Sequence, residues 1–236
     1  MTDFQAQLME FVKEFDAFCQ TNDIEYCLFW GTLLGCIREK GFIPWDDDVD
    51  VAMDRENFEK FKKLAAENKI PSHFAFEDSL FLKGCRIPKV RNKDIQVKDR
   101  NGGTGIFIDI FPFDRFTEFD VKVLKTASLG LRIRDFRHKI NNKLLRLIYT
   151  PLSLLPYLCF ILVRKIYTLR RLTKGNYIGN APITNSEHFF DIDDFHPFER
   201  RLFESRNLPV PRGFDNILRK VYGDYMIPID YNNKHY

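Results

Sequence analysis

The chain has no Cys-x-x-Cys pair. Its five cysteines, Cys19, Cys27, Cys36, Cys85 and Cys159, are scattered and odd in number, which excludes a disulfide framework and a structural zinc site built on paired thiolates. A reducing cytosol is the expected compartment. Long hydrophobic runs are also missing. The most apolar stretch, Leu152 to Val163, is about a dozen residues with Pro156 inside it, short of the ~20 that a spanning helix needs. No crossing of a bilayer is expected there. The opening MTDFQAQLMEFVKEF carries acids and does not read as a signal peptide. Net charge is only +3, too little to point to nucleic acid, and no helix-hairpin-helix or other duplex-gripping element is visible. There is no internal repeat and no low-complexity tract.

Phenylalanine is abundant instead, 24 in 236 residues, more than any ligand site can use, so most belong to a core. The charge is also unevenly spread. Val121 to Lys174 holds 13 Lys and Arg against the single acid Asp135, a local +12 that leaves −9 on the rest of the chain. A basic segment beside an acidic body suits phosphates or an anionic membrane.

Periodicity gives a coarse order of elements. Phe4, Leu8, Phe11, Phe15 and Phe18 recur at helical spacing. Ile24 to Trp30 reads as a buried strand, broken by Gly31-Thr32. A short helix over Leu33 to Glu39 follows, with Thr32 as its N-cap. Val49, Val51 and Met53 alternate with Asp48, Asp50 and Asp54, a strand with one acidic face. Arg55 to Asn68 is a predicted helix. Short strands are expected over Phe74 to Glu77, Gly84 to Arg91, Ile95 to Lys98 and Gly105 to Phe111, with a turn at Asn101-Gly102-Gly103. Two basic helices, Asp120 to Asn142 and Ser153 to Thr173, are expected to join across Thr150-Pro151. Leu208 to Gly213 reads as turns, and Asp215 to Tyr222 as a last helix. This is an α+β pattern.

The chemistry concentrates in Asp46-Asp47-Asp48-Val49-Asp50, four acids in five residues. Carboxylates so close repel unless a cation or solvent screens them. In a strand Asp48 and Asp50 share a face and one divalent ion, Asp46 joins from the preceding loop, and Asp47 points away as a structural residue. All-oxygen ligation suits Mg2+ or Mn2+. A calcium-binding EF-hand loop starting at Asp46 fails, because it needs Gly at position 51 and Glu at 57, where the chain has Val51 and Asn57. Gly31-Thr32, opening a helix, offers backbone N–H groups to an anion. Asp109, in the apolar strand Ile106 to Phe111, is costly to bury unless it is paired or metal-bound.

Strand, Gly-Thr, helix, an Asp-x-Asp strand, then a later strand with one acid: this order resembles the nucleotidyltransferase fold typified by DNA polymerase beta. The run Trp30-Gly31-Thr32-Leu33-Leu34-Gly35, then Arg38, then Gly41-Phe42-Ile43-Pro44-Trp45-Asp46-Asp47-Asp48-Val49-Asp50-Val51, is similar to the signature of the LicD family. Asp109-Ile110-Phe111-Pro112-Phe113-Asp114 and Tyr222-Gly223-Asp224-Tyr225-Met226 match as well. The resemblance implies a polymerase-beta-type mixed sheet with flanking helices and a basic helical insertion. The expected organisation is a catalytic core over 1–120, the insertion over 121–180 and a completing segment over 181–236.

It further implies metal-dependent transfer of phosphocholine from CDP-choline to a hydroxyl of a teichoic acid or lipopolysaccharide sugar, releasing CMP. Related chains such as the fukutin-related proteins transfer ribitol phosphate from CDP-ribitol. By similarity Asp48, Asp50 and Asp109 are the metal carboxylates, and Asp46 is a ligand or base. Gly31 and Thr32 hold phosphates, and Arg38, Lys89 and Arg91 are candidates for further phosphate contacts. Trp30, Trp45, Phe111 and Phe113 are candidates to box a trimethylammonium. The implied partners are CDP-choline or another CDP-alcohol and a lipid-linked glycan acceptor, with peripheral contact between the basic helices and anionic lipid on the inner face of the cytoplasmic membrane. Nucleotidyl transfer to a small molecule, or a non-catalytic binding role on the same fold, are the competing readings.

Overall fold

The computed structural model describes residues 2–78, 87–95, 105–136, 140, 142–170, 174–180 and 188–227. Two compact units emerge. The first joins Met1–Pro112 to Asp193–Tyr236, and the second is Phe113–Ile192.

The first unit opens with helix α1 (Asp3–Thr21), started by a capping box in which the Thr2 hydroxyl accepts from the Gln5 N–H and the Gln5 side chain accepts from the Thr2 N–H. Its face of Leu8, Met9, Phe11, Val12, Phe15 and Cys19 is buried. Strand β1 (Cys27–Leu28) and helix α2 (Trp30–Arg38) follow. The strand predicted over Ile24 to Trp30 is cut short because Trp30 turns at φ 46° into the helix. The N-cap is therefore Phe29, in extended conformation, and not Thr32. Strand β2 (Val49–Asp54) runs into helix α3 (Arg55–Ala66). Then come β3 (Phe74–Glu77), β4 (Lys89–Asn92) and β5 (Phe107–Phe116). The strand order is β1-β2-β5-β4-β3, with antiparallel pairs β1/β2, β3/β4 and β4/β5. The sheet and its flanking helices make an α+β fold of the expected nucleotidyltransferase-like kind. The expected strand at Ile95 to Lys98 and the turn at Asn101-Gly102-Gly103 lie largely outside the described residues.

In the second unit helices α4 (Glu118–Phe136) and α5 (Lys143–Arg170) form an antiparallel pair, followed by β6 (Tyr177–Gly179) and β7 (Phe189–Asp191). The end of β5 pairs with β6, and β6 with β7. Thr117 and Asp120 bond reciprocally across the first turn of α4, and the second Asp120 oxygen accepts from the buried Tyr167 hydroxyl at 2.9 Å. Phe116, Val121, Leu124, Tyr167 and Phe189 form the core. The helices approach so closely at one point that a Cβ on Gly130 would stand 2.1 Å from the Pro156 carbonyl oxygen.

The expected break at Thr150-Pro151 is absent, and α5 runs through Pro151 and Pro156. The Thr150 and Ser153 hydroxyls donate to the Arg146 and Thr150 carbonyls around the first proline, adding bonds where the ring removes one. The consequence is a stretch, Leu145–Tyr167, long and apolar enough to cross a membrane by length and composition, where the sequence alone marked about a dozen residues.

Back in the first unit, the short α6 (Ile192–Phe195) leads to β8 (Phe198–Phe203), β9 (Arg206–Pro211) and α7 (Phe214–Tyr222). Leu208 to Pro211 is strand and not turn. β8 and β9 form a two-stranded antiparallel ribbon in which Pro209 faces Arg200 and Pro211 faces Phe198, as prolines permit where they need not donate to a partner.

Candidate active site

All four sequence-predicted acids lie in the first unit, and the fold gathers them. Asp50 is on β2 and Asp109 on β5, neighbours in the sheet. Asp48 sits just before β2. One carboxylate oxygen each from Asp48, Asp50 and Asp109 lies within 4.8 Å of the others, and Asp46, Asp47 and Asp48 form a second such group. Asp47 therefore does not turn away. Residues 46–48 are loop, and strand alternation begins only at Val49.

The backbone of Asp50 is gripped from two sides by the start of α2. Its N–H donates to the buried Thr32 hydroxyl at 2.9 Å, and its carbonyl accepts from the Phe29 N–H at 2.9 Å. Gly31 is in the same turn, and a Cβ there would stand 3.3 Å from Asp46 Oδ2. The first helical bond of α2 is Leu33 N–H to the Phe29 carbonyl, so the N–H groups of the preceding turn lie outside the helical ladder. Gly31 and Thr32 thus belong to the acidic cluster's surroundings, with Thr32 as a clamp on β2.

The acidic loop is held by residues that sequence reasoning missed. The buried Gln5 amide donates to the Ile43 carbonyl at 3.2 Å and to the Asp46 carbonyl at 3.1 Å. Glu204 accepts from the Phe42 N–H at 3.0 Å. The Thr2-x-x-Gln5 pattern signals a helix cap in the sequence, but nothing in it reveals the second use of the amide.

Lys89 faces Asp109 across β4/β5 and pairs with it at 2.9 Å, with both side chains nearly buried. The ammonium also lies 3.9 Å from the Phe107 ring centre. Arg91 donates to Glu77 at 2.8 Å and to the Gly105 carbonyl at 3.3 Å. Arg38 is at the far end of α2 from Gly31. It pairs with Glu39 at 2.7 Å and donates to the Tyr225 carbonyl at 3.3 Å. Of the three predicted phosphate-binding cations, Lys89 makes an ion pair with a carboxylate of the cluster, and the Arg91 charge also acts on Asp109. Among the aromatic candidates, Trp30 packs edge-on against the buried Phe111, Trp45 is half exposed, and Phe113 is stacked on Phe190 in the core of the second unit.

The electrostatics follow from this crowding. Burial pushes the Asp50 carboxyl well above the usual range, and Asp48, Asp109 and Asp46 push it further against the opposing pull of Lys89. Burial raises Asp109 to about 6, with Lys89 pulling down and Asp48 pushing up. Three half-buried to buried carboxylates beside a single ammonium make an all-oxygen donor set with surplus negative charge. That set fits a hard divalent cation such as Mg2+ or Mn2+.

The family model described as the LicD/FKTN/FKRP nucleotidyltransferase domain matches residues 23–159. The chain belongs to this family. The match takes in every predicted site residue and leaves Gln5 and Glu204 outside. Among LicD-family relatives, the chain is 26% identical to the lipopolysaccharide cholinephosphotransferase LicD of Haemophilus influenzae, over 94% of this chain and 89% of that protein. It is 38% identical to an uncharacterized protein of Rickettsia prowazekii, over 79% of this chain and 78% of the relative.

Proposed function

We infer that this LicD-family phosphotransferase moves phosphocholine from CDP-choline to a hydroxyl of a cell-surface glycan precursor, a teichoic acid or lipopolysaccharide sugar, and releases CMP. The carrying observation is the carboxylate trio Asp48, Asp50 and Asp109 within 4.8 Å, in a chain aligned over nearly its whole length with a protein named for cholinephosphotransfer.

Asp48, Asp50 and Asp109 would hold a divalent cation, which supplies charge neutralisation for the pyrophosphate and the leaving CMP. The chain's own residues do the rest. The first turn of α2 turns backbone N–H groups toward phosphate oxygens, favoured by the helix dipole. Lys89 balances part of the cluster's charge and fixes the Asp109 carboxylate. Asp46, outside the trio and beside Gly31, takes the proton of the acceptor hydroxyl. The acceptor oxygen then bonds to the distal phosphorus as the bond from that phosphorus to the CMP oxygen breaks. Trp30 and Trp45 offer aromatic faces to the donor's trimethylammonium.

The test is incubation with Mg2+ or Mn2+, an acceptor glycan and a panel of CDP-alcohols, with CMP and the modified glycan quantified. CMP release with CDP-choline, abolished by EDTA and by Asp50→Asn, is expected. Preference for CDP-ribitol, or pyrophosphate release from CTP with the nucleotide left on the acceptor, would overturn the donor assignment.

A further inference from the structure

The face of α5 turned away from α4 is apolar along its length. Tyr149, Ser153, Pro156, Phe160, Val163 and Tyr167 recur at spacings of four and three and are buried or half-buried, the seam expected of two packed helices. Ten leucines and isoleucines from Leu145 to Ile166 are exposed, eight of them on the opposite half of the helix. Leu147, Leu152, Leu155 and Leu162 are each 60–72% exposed. Between Arg146 and Arg164 there is no charged residue. A patch of this extent is unusual on the surface of a monomer.

Charge surrounds it. Exposed Lys143 and Arg146 mark one end of the stretch and exposed Lys165 the other, with Arg132 exposed on α4. Val121 to Lys174 as a whole has 13 cations and one acid. An apolar face bounded by cations is complementary to a bilayer leaflet containing anionic lipid, where ammonium and guanidinium groups stay with the headgroups while leucines enter the acyl boundary. A second copy of the chain would instead bring two strongly basic segments together.

We propose that the α4–α5 pair is a monotopic membrane anchor, lying in the interface of an anionic leaflet with the outer face of α5 embedded. Crossing the bilayer is opposed by the partner helix. α4 leaves β5 and α5 returns to β6, strands that pair with each other, so α5 crosses only if α4 crosses with it. The exposed Lys125, Arg132 and Asp135 of α4 would then enter hydrocarbon, where each charge is costly. Lying in the plane keeps them in water. It also leaves headgroup water to bond the carbonyls that Pro151 and Pro156 release.

The experiment is flotation of the full chain with phosphatidylcholine vesicles, with and without phosphatidylglycerol. Wild type is expected to float with the phosphatidylglycerol vesicles, and its partition should fall more than about tenfold in high salt or without the anionic lipid. The triple variant Leu152→Glu, Leu155→Glu, Leu162→Glu alters only exposed positions. It should keep the wild-type circular dichroism and lose flotation. In a second variant, Leu155→Trp, tryptophan emission should shift to shorter wavelength on vesicle addition and be quenched by lipids brominated on the acyl chains. Wild type that stays unbound, a triple variant that floats as well as wild type, or sedimentation showing that the leucine face holds two copies together in place of lipid would overturn the proposal. Flotation needs no donor, so its failure leaves the CDP-choline reading standing, and failure of CMP release leaves the anchor standing.

Discussion

At the residue scale the acidic cluster conflicts with folding until a cation arrives. Asp109 titrates near 6 in the metal-free fold and Asp50 is also raised, whereas unfolded aspartates titrate near 3.9. The native state therefore binds more protons than the unfolded one between about pH 4 and 6. The cluster's contribution to stability is fully present below that window and is lost as pH rises through it. In EDTA, Asp50→Asn should thus melt above wild type where the native carboxylates are ionised, and the gap should shrink on acidification as they take up protons. The variant should show no transfer at any pH. Mg2+ competes with the same protons, so its thermal upshift in wild type should grow as pH rises through about 6. A pH-independent upshift would remove the carboxylates from the ion's binding site. Gln5 makes a separate prediction. Gln5→Glu keeps the acceptor that caps α1 but deletes both N–H donors to the Ile43 and Asp46 carbonyls. Two lost hydrogen bonds at about 1 kcal/mol each should loosen the acidic loop. Mg2+ affinity measured by calorimetry should drop about tenfold.

At the element scale, regularity decided what the sequence revealed. Val49 to Asp54 reads as a strand from the alternation of Val49, Val51 and Met53 with Asp50 and Asp54, broken only at the buried Ala52, and Phe74 to Glu77 was delimited to the residue by its Phe-x-Phe pattern. Irregular junctions were hidden. Nothing local says that Trp30 adopts φ 46° and carries α2 one turn further toward its N-terminus, or that Pro209 and Pro211 sit in a strand where no partner needs their N–H. The site was legible where chemistry dictates identity, in Asp48, Asp50 and Asp109. Long-range backbone bonding hid the rest. Thr32 looked like a cap and a phosphate contact, yet its hydroxyl accepts from the Asp50 N–H. That bond sets the seam between α2 and β2, and Thr32→Val tests it at nearly constant volume. The Asp50 N–H would be left unpaired at a cost of about 1–3 kcal/mol. Both melting temperature and transfer should fall, and Thr32→Ser should restore both. If Thr32→Val loses activity with unchanged stability, the hydroxyl acts on substrate and not on β2.

At the scale of the whole molecule, sequence reading placed boundaries at 120 and 180, where charge changes, while the compact units divide at Pro112 and Ile192. Charge marks the helices and misses the strands that complete the second unit. Reunion of the first unit's two segments depends on contacts across nearly the full chain, which no local pattern encodes. Asp16, fully buried on α1, is the centre of the most concentrated of these. Its carboxylate accepts from Arg200 at 2.6 Å and Arg206 at 2.7 Å on the β8–β9 ribbon, and from the Tyr26 hydroxyl at 2.9 Å and Gln20 at 2.8 Å. Breaking a buried ion pair costs about 3–5 kcal/mol. The arginines here are a third or more exposed and can turn to water, which argues for the lower end or below. Asp16→Asn should therefore lower stability by about 2–3 kcal/mol in chemical denaturation. Because Glu204, in the ribbon's turn, supports the acidic loop through Phe42, the same variant should also weaken Mg2+ binding, although Asp16 touches none of the predicted metal carboxylates. Stability loss with unchanged Mg2+ affinity would mean that the ribbon does not support the acidic loop.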